Sequence, residues 1–304
     1  GEDAAVIDFG DRCLVIATDP VTFATDDIGW YAVHVNANDI AAMGAEPRFF
    51  LATIILPEKT ASPDLVESIF RSIHAAADEM DITVCGGHTE ITHGIDRPIV
   101  VGQMLGDVPR DRLVRSSGLL PGDVVLLTKG MAIEATALIA REKTQELLTR
   151  GMDSGLLDRC AAYLRDPGIS VVVDARAAVA AGDVHAMHDP TEGGVATGLF
   201  ELASASHVGL EVDEGALHLS PESARLCGEF DLNPFGVISS GALLVGCPES
   251  ASAAIIDALS QAGIRADAVA AVRPVEFGLK LKRGRNLVPL PRFAVDEITR
   301  LFAS

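Results

Sequence analysis

The order of strand-like and helix-like runs in the first hundred residues restricts the fold of this chain more than any other feature. Residues 4–9 and 13–18 read as strands, split by the turn Gly10-Asp11-Arg12. A helix is expected after Asp26-Asp27, over residues 28–43, with Gly44 closing it in the left-handed conformation that glycine adopts without strain. Residues 49–56 read as a buried strand closed by Pro57. Ser62-Pro63 opens a second helix, with Ser as the cap and Pro in the first turn. Leu65, Ile69, Ile73, Ala76 and Met80 fall on one face of it. Residues 82–85 predict a short strand running into a tight Gly86-Gly87 turn, and residues 98–105 predict another strand. Strand, strand, helix, strand, helix, strand, strand is an α+β order with a mixed or antiparallel sheet, not a strict βαβ series.

A chain of 304 residues holds two domains of ordinary size. Residues 119–123 (LLPGD) read as an inter-domain turn, which divides the chain into 1–118 and 119–304. Beyond it, strands are expected near 124–128, 210–213, 242–247 and 266–272. Helices are expected near 132–141, 156–164, 171–181, 194–205 and 251–262. The net charge of −19 disfavours nucleic acid and anionic lipid as partners, because like charges repel. A nucleotide would need divalent cations to neutralise both sides. The five cysteines are scattered with no CxxC pair, which fits a reducing cytoplasm better than a disulfide framework or a zinc knuckle. No run of about 18 apolar residues predicts a membrane span.

Five constellations could carry chemistry. Glu2-Asp3 precede an aliphatic strand, and a solvated strand start explains them as well as a ligand does; Thr18-Asp19 stand where another strand is expected to end, and taken alone a turn Asp is the favoured reading there. Asp39 in NANDIAAMG (36–44) is harder to dismiss. It lies in the second half of a helix among small apolar residues, where a charge is costly to bury without a partner. Magnesium, which prefers hard oxygen ligands, would account for it. Gly86-Gly87-His88-Thr89-Glu90 offers backbone N–H groups to phosphate and polar side chains beside them. Asp189-Pro190-Thr191-Glu192-Gly193-Gly194 opens a helix, with Asp189 or Thr191 as cap and an amide end suited to an anion. There is no GxxxxGK[ST] loop and no GxGxxG fingerprint, and residues 236–241 miss a GxSxG elbow by one position.

Taken in order, GEDAAV (1–6), Thr18-Asp19, NDIAAMG (38–44), GGHT (86–89), PGDVVLLT (121–128) and DPTEGG (189–194) resemble the PurM-like superfamily. That group contains aminoimidazole ribonucleotide synthetase, thiamine-monophosphate kinase, selenophosphate synthetase and the hydrogenase-maturation factor HypE. The resemblance implies an N-terminal α+β domain whose mixed sheet forms a barrel across a homodimer, and a C-terminal α/β sandwich domain. It implies ATP and Mg2+ as cofactors, with Asp3, Asp19 and Asp39 as metal ligands. Thr18, Asn38, Gly86, Gly87 and Thr89 become nucleotide contacts, and His88 and Asp189 candidate catalytic groups. The implied activity is ATP-dependent phosphoryl transfer to a small-molecule or carbamoyl-type acceptor. A maturation scaffold with little turnover is an alternative, as is a selenophosphate-synthetase-like or thiamine-monophosphate-kinase-like enzyme. DPTEGG followed by Val195-Ala196-Thr197 is most similar to HypE, which also implies a possible maturation-factor partner. Two departures stand out: this chain ends in Ala303-Ser304 where HypE carries its acceptor cysteine, and His88 stands where HypE usually carries Asp.

Overall fold

The computed structural model describes residues 2–22 and 27–302. Gly1 of the first motif, Asp26 of the Asp26-Asp27 pair and the terminal Ala303-Ser304 lie outside the described residues. The chain divides into two compact units, Asp3–Leu113 and Val114–Ser304, and Glu2 belongs to the second.

The N-terminal unit contains β1 (Ala5–Asp8), β2 (Arg12–Val21), α1 (Ile28–Ala42), β3 (Glu46–Pro57), α2 (Pro63–Glu79), β4 (Thr83–Thr92) and β5 (Ile99–Pro109). They form one mixed five-stranded sheet in the order β1-β2-β5-β3-β4, in which only β3 and β4 pair in parallel. Alternate residues of β2 (Cys13, Val15, Ala17), β3 (Phe50, Ala52, Ile54, Leu56) and β5 (Val100, Met104, Val108) are buried, as a period-two strand with one packed face requires. Helix α1 lies on β2, β5 and β3, and α2 lies on α1. Sandwiched in this way, α1 is buried all round except at Val35. The glycines of β5 make the approach possible: a Cβ at Gly102 would stand 2.2 Å from Asn36 Nδ2, and one at Gly106 2.3 Å from Ile40 Cγ2.

The local signals for the helices hold. Ser62 Oγ accepts from Leu65 N at 3.2 Å, with Pro63 in the first turn. Gly44 takes φ 71° and donates to Ala41 O at 2.8 Å. Two expectations fail. Thr18-Asp19 do not end a strand, because β2 runs on through Val21. Gly86-Gly87 are not a turn. They lie inside the ten-residue strand β4, beside a register shift between Phe50 and Leu51.

The C-terminal unit contains β6 (Asp123–Thr128), α3 (Ile133–Glu142), α4 (Thr144–Thr149), α5 (Ser154–Ala162), α6 (Val172–Ala181), β7 (Ala186–His188) and α7 (Gly194–Ser206). There follow β8 (Gly209–Asp213), α8 (Pro221–Glu229), β9 (Leu244–Pro248), α9 (Glu249–Gln261), β10 (Ala266–Arg273) and the hairpin of β11 (Leu279–Arg283) and β12 (Asn286–Pro289). Seven strands run in the order β12-β11-β8-β10-β6-β9-β7. Val125 and Leu127 of β6 join a core with α3, α5, α7 and α8, while α9 packs across β6, β9 and β10 and against α6. Both faces are thus covered, and β6 reads as the continuous apolar run that a doubly covered strand needs. The sequence pattern missed β7, α4, α8 and the terminal hairpin, all short or polar segments that depend on packing for their structure.

Candidate functional site

In the N-terminal unit, Asn36 organises the acidic motif. Its Oδ1 accepts from the Asp19 N–H at 2.9 Å, and its Nδ2 donates to Ala32 O at 2.8 Å. This amide ties β2 to α1 at Asp19. Asn36 and Asp39 are three residues apart, so they share a helix face. Asp39 is 9 % exposed, and Asn38 is fully buried beside it. Thr18 Oγ1 donates to Gly102 O at 2.9 Å. Asn36 was not among the sequence candidates, although its place in the NANDIA run was a usable signal.

Strand register relates the glycine motif to the acidic one. Asp19 pairs with Gly102, Gly102 with Ala52 and Ala52 with Gly87, one transverse row across four strands. Three strand spacings separate β2 from β4, about 14 Å. Because side chains alternate, Gly87 and Thr89 lie on the face of Asp19, whereas His88 belongs to the row of Thr53 and Val101 on the opposite face. Gly86, Gly87, His88 and Thr89 are all exposed. Gly87 is required where it stands: φ is 152°, and an added Cβ would lie 1.9 Å from Ala52 O. Within this unit no three carboxylate, imidazole or thiol ligand atoms converge among the described residues.

In the C-terminal unit, β7 delivers His188 and then Asp189, both buried. His188 Nε2 lies 2.9 Å from Glu201 Oε2 on α7, a contact that holds the Glu201 carboxyl below its ordinary range. Glu2 accepts from Ser116 N at 3.0 Å and Ser117 Oγ at 3.0 Å. The expected cap of α7 is corrected by the structure. Neither Asp189 nor Thr191 caps it; the N-cap is Gly193 at φ 74°, with no side-chain cap of its own. Asp296 instead accepts from Gly193 N at 2.7 Å. Burial pushes the Asp296 carboxyl up, despite the backbone N–H groups that favour its charge.

Two further buried charges stand near the start of α3. Lys129, in left-handed backbone at φ 58°, places Nζ 3.0 Å from Asp174 Oδ2 and 2.5 Å from Ser170 O. Burial pulls its ammonium below the ordinary range, and Asp174 opposes that. Glu134 is 8 % exposed, and burial pushes it to about 7 against a hydrogen bond from Ser240, with Asp296 and Glu192 adding repulsion. The sequence signal for Glu134 was faint: one acid in the apolar run 131–140.

Comparison with known proteins identifies the family. Family models for the N-terminal and C-terminal domains of AIR synthase related proteins match residues 1–108 and 121–279. The carbamoyl dehydratase HypE of Rhizobium leguminosarum bv. viciae is 32% identical over 265 residues, 84% of this chain and 72% of that protein. A hydrogenase expression/formation protein of Methanocaldococcus jannaschii is 26% identical over 300 residues, 95% of this chain and 85% of its own length. A crystal structure of hydrogenase maturation protein HypE in complex with ATP superposes with a TM-score of 0.79 at 23% identity, over 94% of this chain and 87% of that one. No helix of the described residues is long and apolar enough to cross a membrane. With both domain models matched in order and relatives aligned over most of its length, the chain belongs to the AIR synthase-related family.

Proposed function

We propose that the N-terminal unit binds ATP with magnesium and that the enzyme transfers the γ-phosphoryl group to a small-molecule acceptor of carbamoyl type. The observation that carries this reading is the buried Asp39 carboxylate on α1, on the helix face where Asn36 fixes Asp19. The donor set is hard oxygen, which suits magnesium. That ion is commonly held by one or two carboxylates completed by substrate phosphates. Asp19 and Asp39 would hold the ion, which when bound neutralises phosphate charge. Thr18, Asn38 and Thr89 would hydrogen-bond the nucleotide, and the open backbone at Gly86, next to Gly87, would let phosphate oxygens come close. Asp189 and His88, each within its own unit, are candidates for general acid–base work on an acceptor; His88 lies on the opposite sheet face from Asp19, so it is given no part in holding the nucleotide. The relatives named as carbamoyl dehydratases and the HypE structure bound to ATP support the choice of acceptor class and nucleotide.

Calorimetric titration of the full chain with ATP tests this, with and without magnesium. Magnesium-dependent binding that weakens at least about tenfold in Asp39→Asn is expected, the scale seen when metal-site groups are altered. Equal affinity in wild type and variant would remove the proposal.

A further inference from the structure

Four chain segments of the C-terminal unit meet around one buried carboxylate. The first is the turn into α3, where Lys129, Gly130 and Ala132 all hold left-handed backbone, at φ 58°, 129° and 63°. Glu134 follows in the first turn of the helix. The second is residues 235–241: Ser239 Oγ accepts from Ala132 N at 3.1 Å, and Ile238 O accepts from Ala135 N at 3.3 Å. The third is the start of α7, where Thr191 O accepts from Ser239 N at 3.3 Å and from Gly194 N at 3.1 Å. The fourth is Asp296, near the end of the described chain.

Asp296 is accounted for by local structure. Its two oxygens accept from Gly193 N at 2.7 Å and Ile298 N at 2.8 Å. Glu134 is not. Ser240 hydrogen-bonds its carboxyl, but Oε2 is buried with no hydrogen-bond partner. The charged groups that act on Glu134 are Asp296 and Glu192, both acids. The ammonium nearest in sequence, Lys129, is committed to Asp174 and Ser170. A buried acceptor oxygen without a donor is costly, and a carboxylate buried among acids without a cation is costlier. Two non-glycine residues in left-handed backbone just before it, Lys129 and Ala132, mark a place where backbone strain is tolerated, as at many ligand sites.

We propose that Glu134 Oε2 is the anchor of a subsite for an ammonium-type cation, with Ser240 and the exposed Glu192 beside it. An ammonium group supplies the two things the site lacks: N–H donors for the orphaned oxygen and positive charge for the three acids. A divalent metal is a poorer match, because no three ligand atoms converge here among the described residues. With its carboxyl pushed to about 7, Glu134 carries a proton over much of the neutral range. Binding a cation ionises it, and that proton leaves to the buffer. This subsite stands on the C-terminal unit alone and does not depend on where ATP binds.

Thermal unfolding and calorimetry of the full chain test the subsite, with ammonium chloride and methylammonium chloride against potassium chloride at matched ionic strength. At pH 8, the ammonium salts are expected to raise the unfolding midpoint with concentration while potassium does not. At pH 5.5, apparent affinity is expected to fall about tenfold or more, because the carboxyl must first lose its proton. Glu134→Gln should abolish the ammonium response, leaving the ammonium and potassium series alike. If that variant does not fold, the pH series on wild type decides alone. Potassium matching ammonium, wild type and variant responding alike, or affinity that ignores pH would each overturn the assignment and return Glu134 to a protonated structural acid.

Discussion

Replacing Glu134 by Gln is expected to stabilise the protein at pH 8 in potassium buffer, although it alters a buried side chain of the C-terminal unit. Burial moves this carboxyl from an ordinary value of 4.5 to about 7. The sign follows from proton binding. Between those two values the native state holds a proton that the unfolded chain has released, so stability falls as pH rises through the window and levels off above it. At about 1.4 kcal/mol per pH unit, the full cost is about 3 kcal/mol. Gln keeps the shape and can still bond Ser240, but it never ionises, so the variant escapes that cost. For a unit of this size the gain corresponds to about 6–12 °C in unfolding midpoint. Denaturant unfolding at pH 4.5, 6 and 8 is the assay. Wild type and variant should be nearly equal at pH 4.5 and diverge progressively to pH 8. A gap of the same size at all three pH values would refute the reasoning, as would a variant less stable than wild type at pH 8. A residue that costs this much and is nevertheless present is a candidate for function, since sites commonly trade stability for chemistry.

Two other expectations rest on the N-terminal sheet. Gly87→Ala should cost at least about 2 kcal/mol, since both φ and the contact with Ala52 O oppose a Cβ. Gly86→Ala, at φ 142° with nothing within 4 Å, should cost nearer 1 kcal/mol. Equal thermal shifts for the two would show that the close approach to β3 is unimportant. The second concerns assembly. Strand β4 is an edge strand exposed along most of its length, with Ile91 at 58 % exposure, and uncovered edges of this kind favour strand pairing. Light scattering should find a homodimer of the 31.9 kDa chain, and Ile91→Lys should shift it toward monomer; a wild type that is monomeric at micromolar concentration would exclude pairing through β4.

Where the chemistry is local, the sequence could be read directly. Ser62 caps α2, Gly44 closes α1, and the alternation in β3 marks its buried face, because each signal acts within a few residues of itself. Where a residue's partner is remote, reading failed. Gly86-Gly87 looked like a turn because paired glycines usually make one. They sit in a strand because β3 passes close enough that only glycine fits at Gly87. Asp189 and Thr191 looked like caps because both precede a helix, yet the hydrogen bond to that helix end comes from Asp296, 103 residues further on.

The sequence by itself determined the α+β order of elements and the family motifs in their order, since these depend on periodicity, turn chemistry and residue identity. It also placed Asp39 in an apolar helix, where its charge needed explaining. Only the tertiary structure decided that Asn36 locks Asp19 to that helix, and that His88 lies on the opposite face of the sheet from Asp19. It alone turned Glu134 from an ordinary first-turn acid into a buried carboxyl with one oxygen unpartnered. The physical reason is common to all three: burial, register and the cost of an unpaired charge are set by neighbours that are distant along the chain.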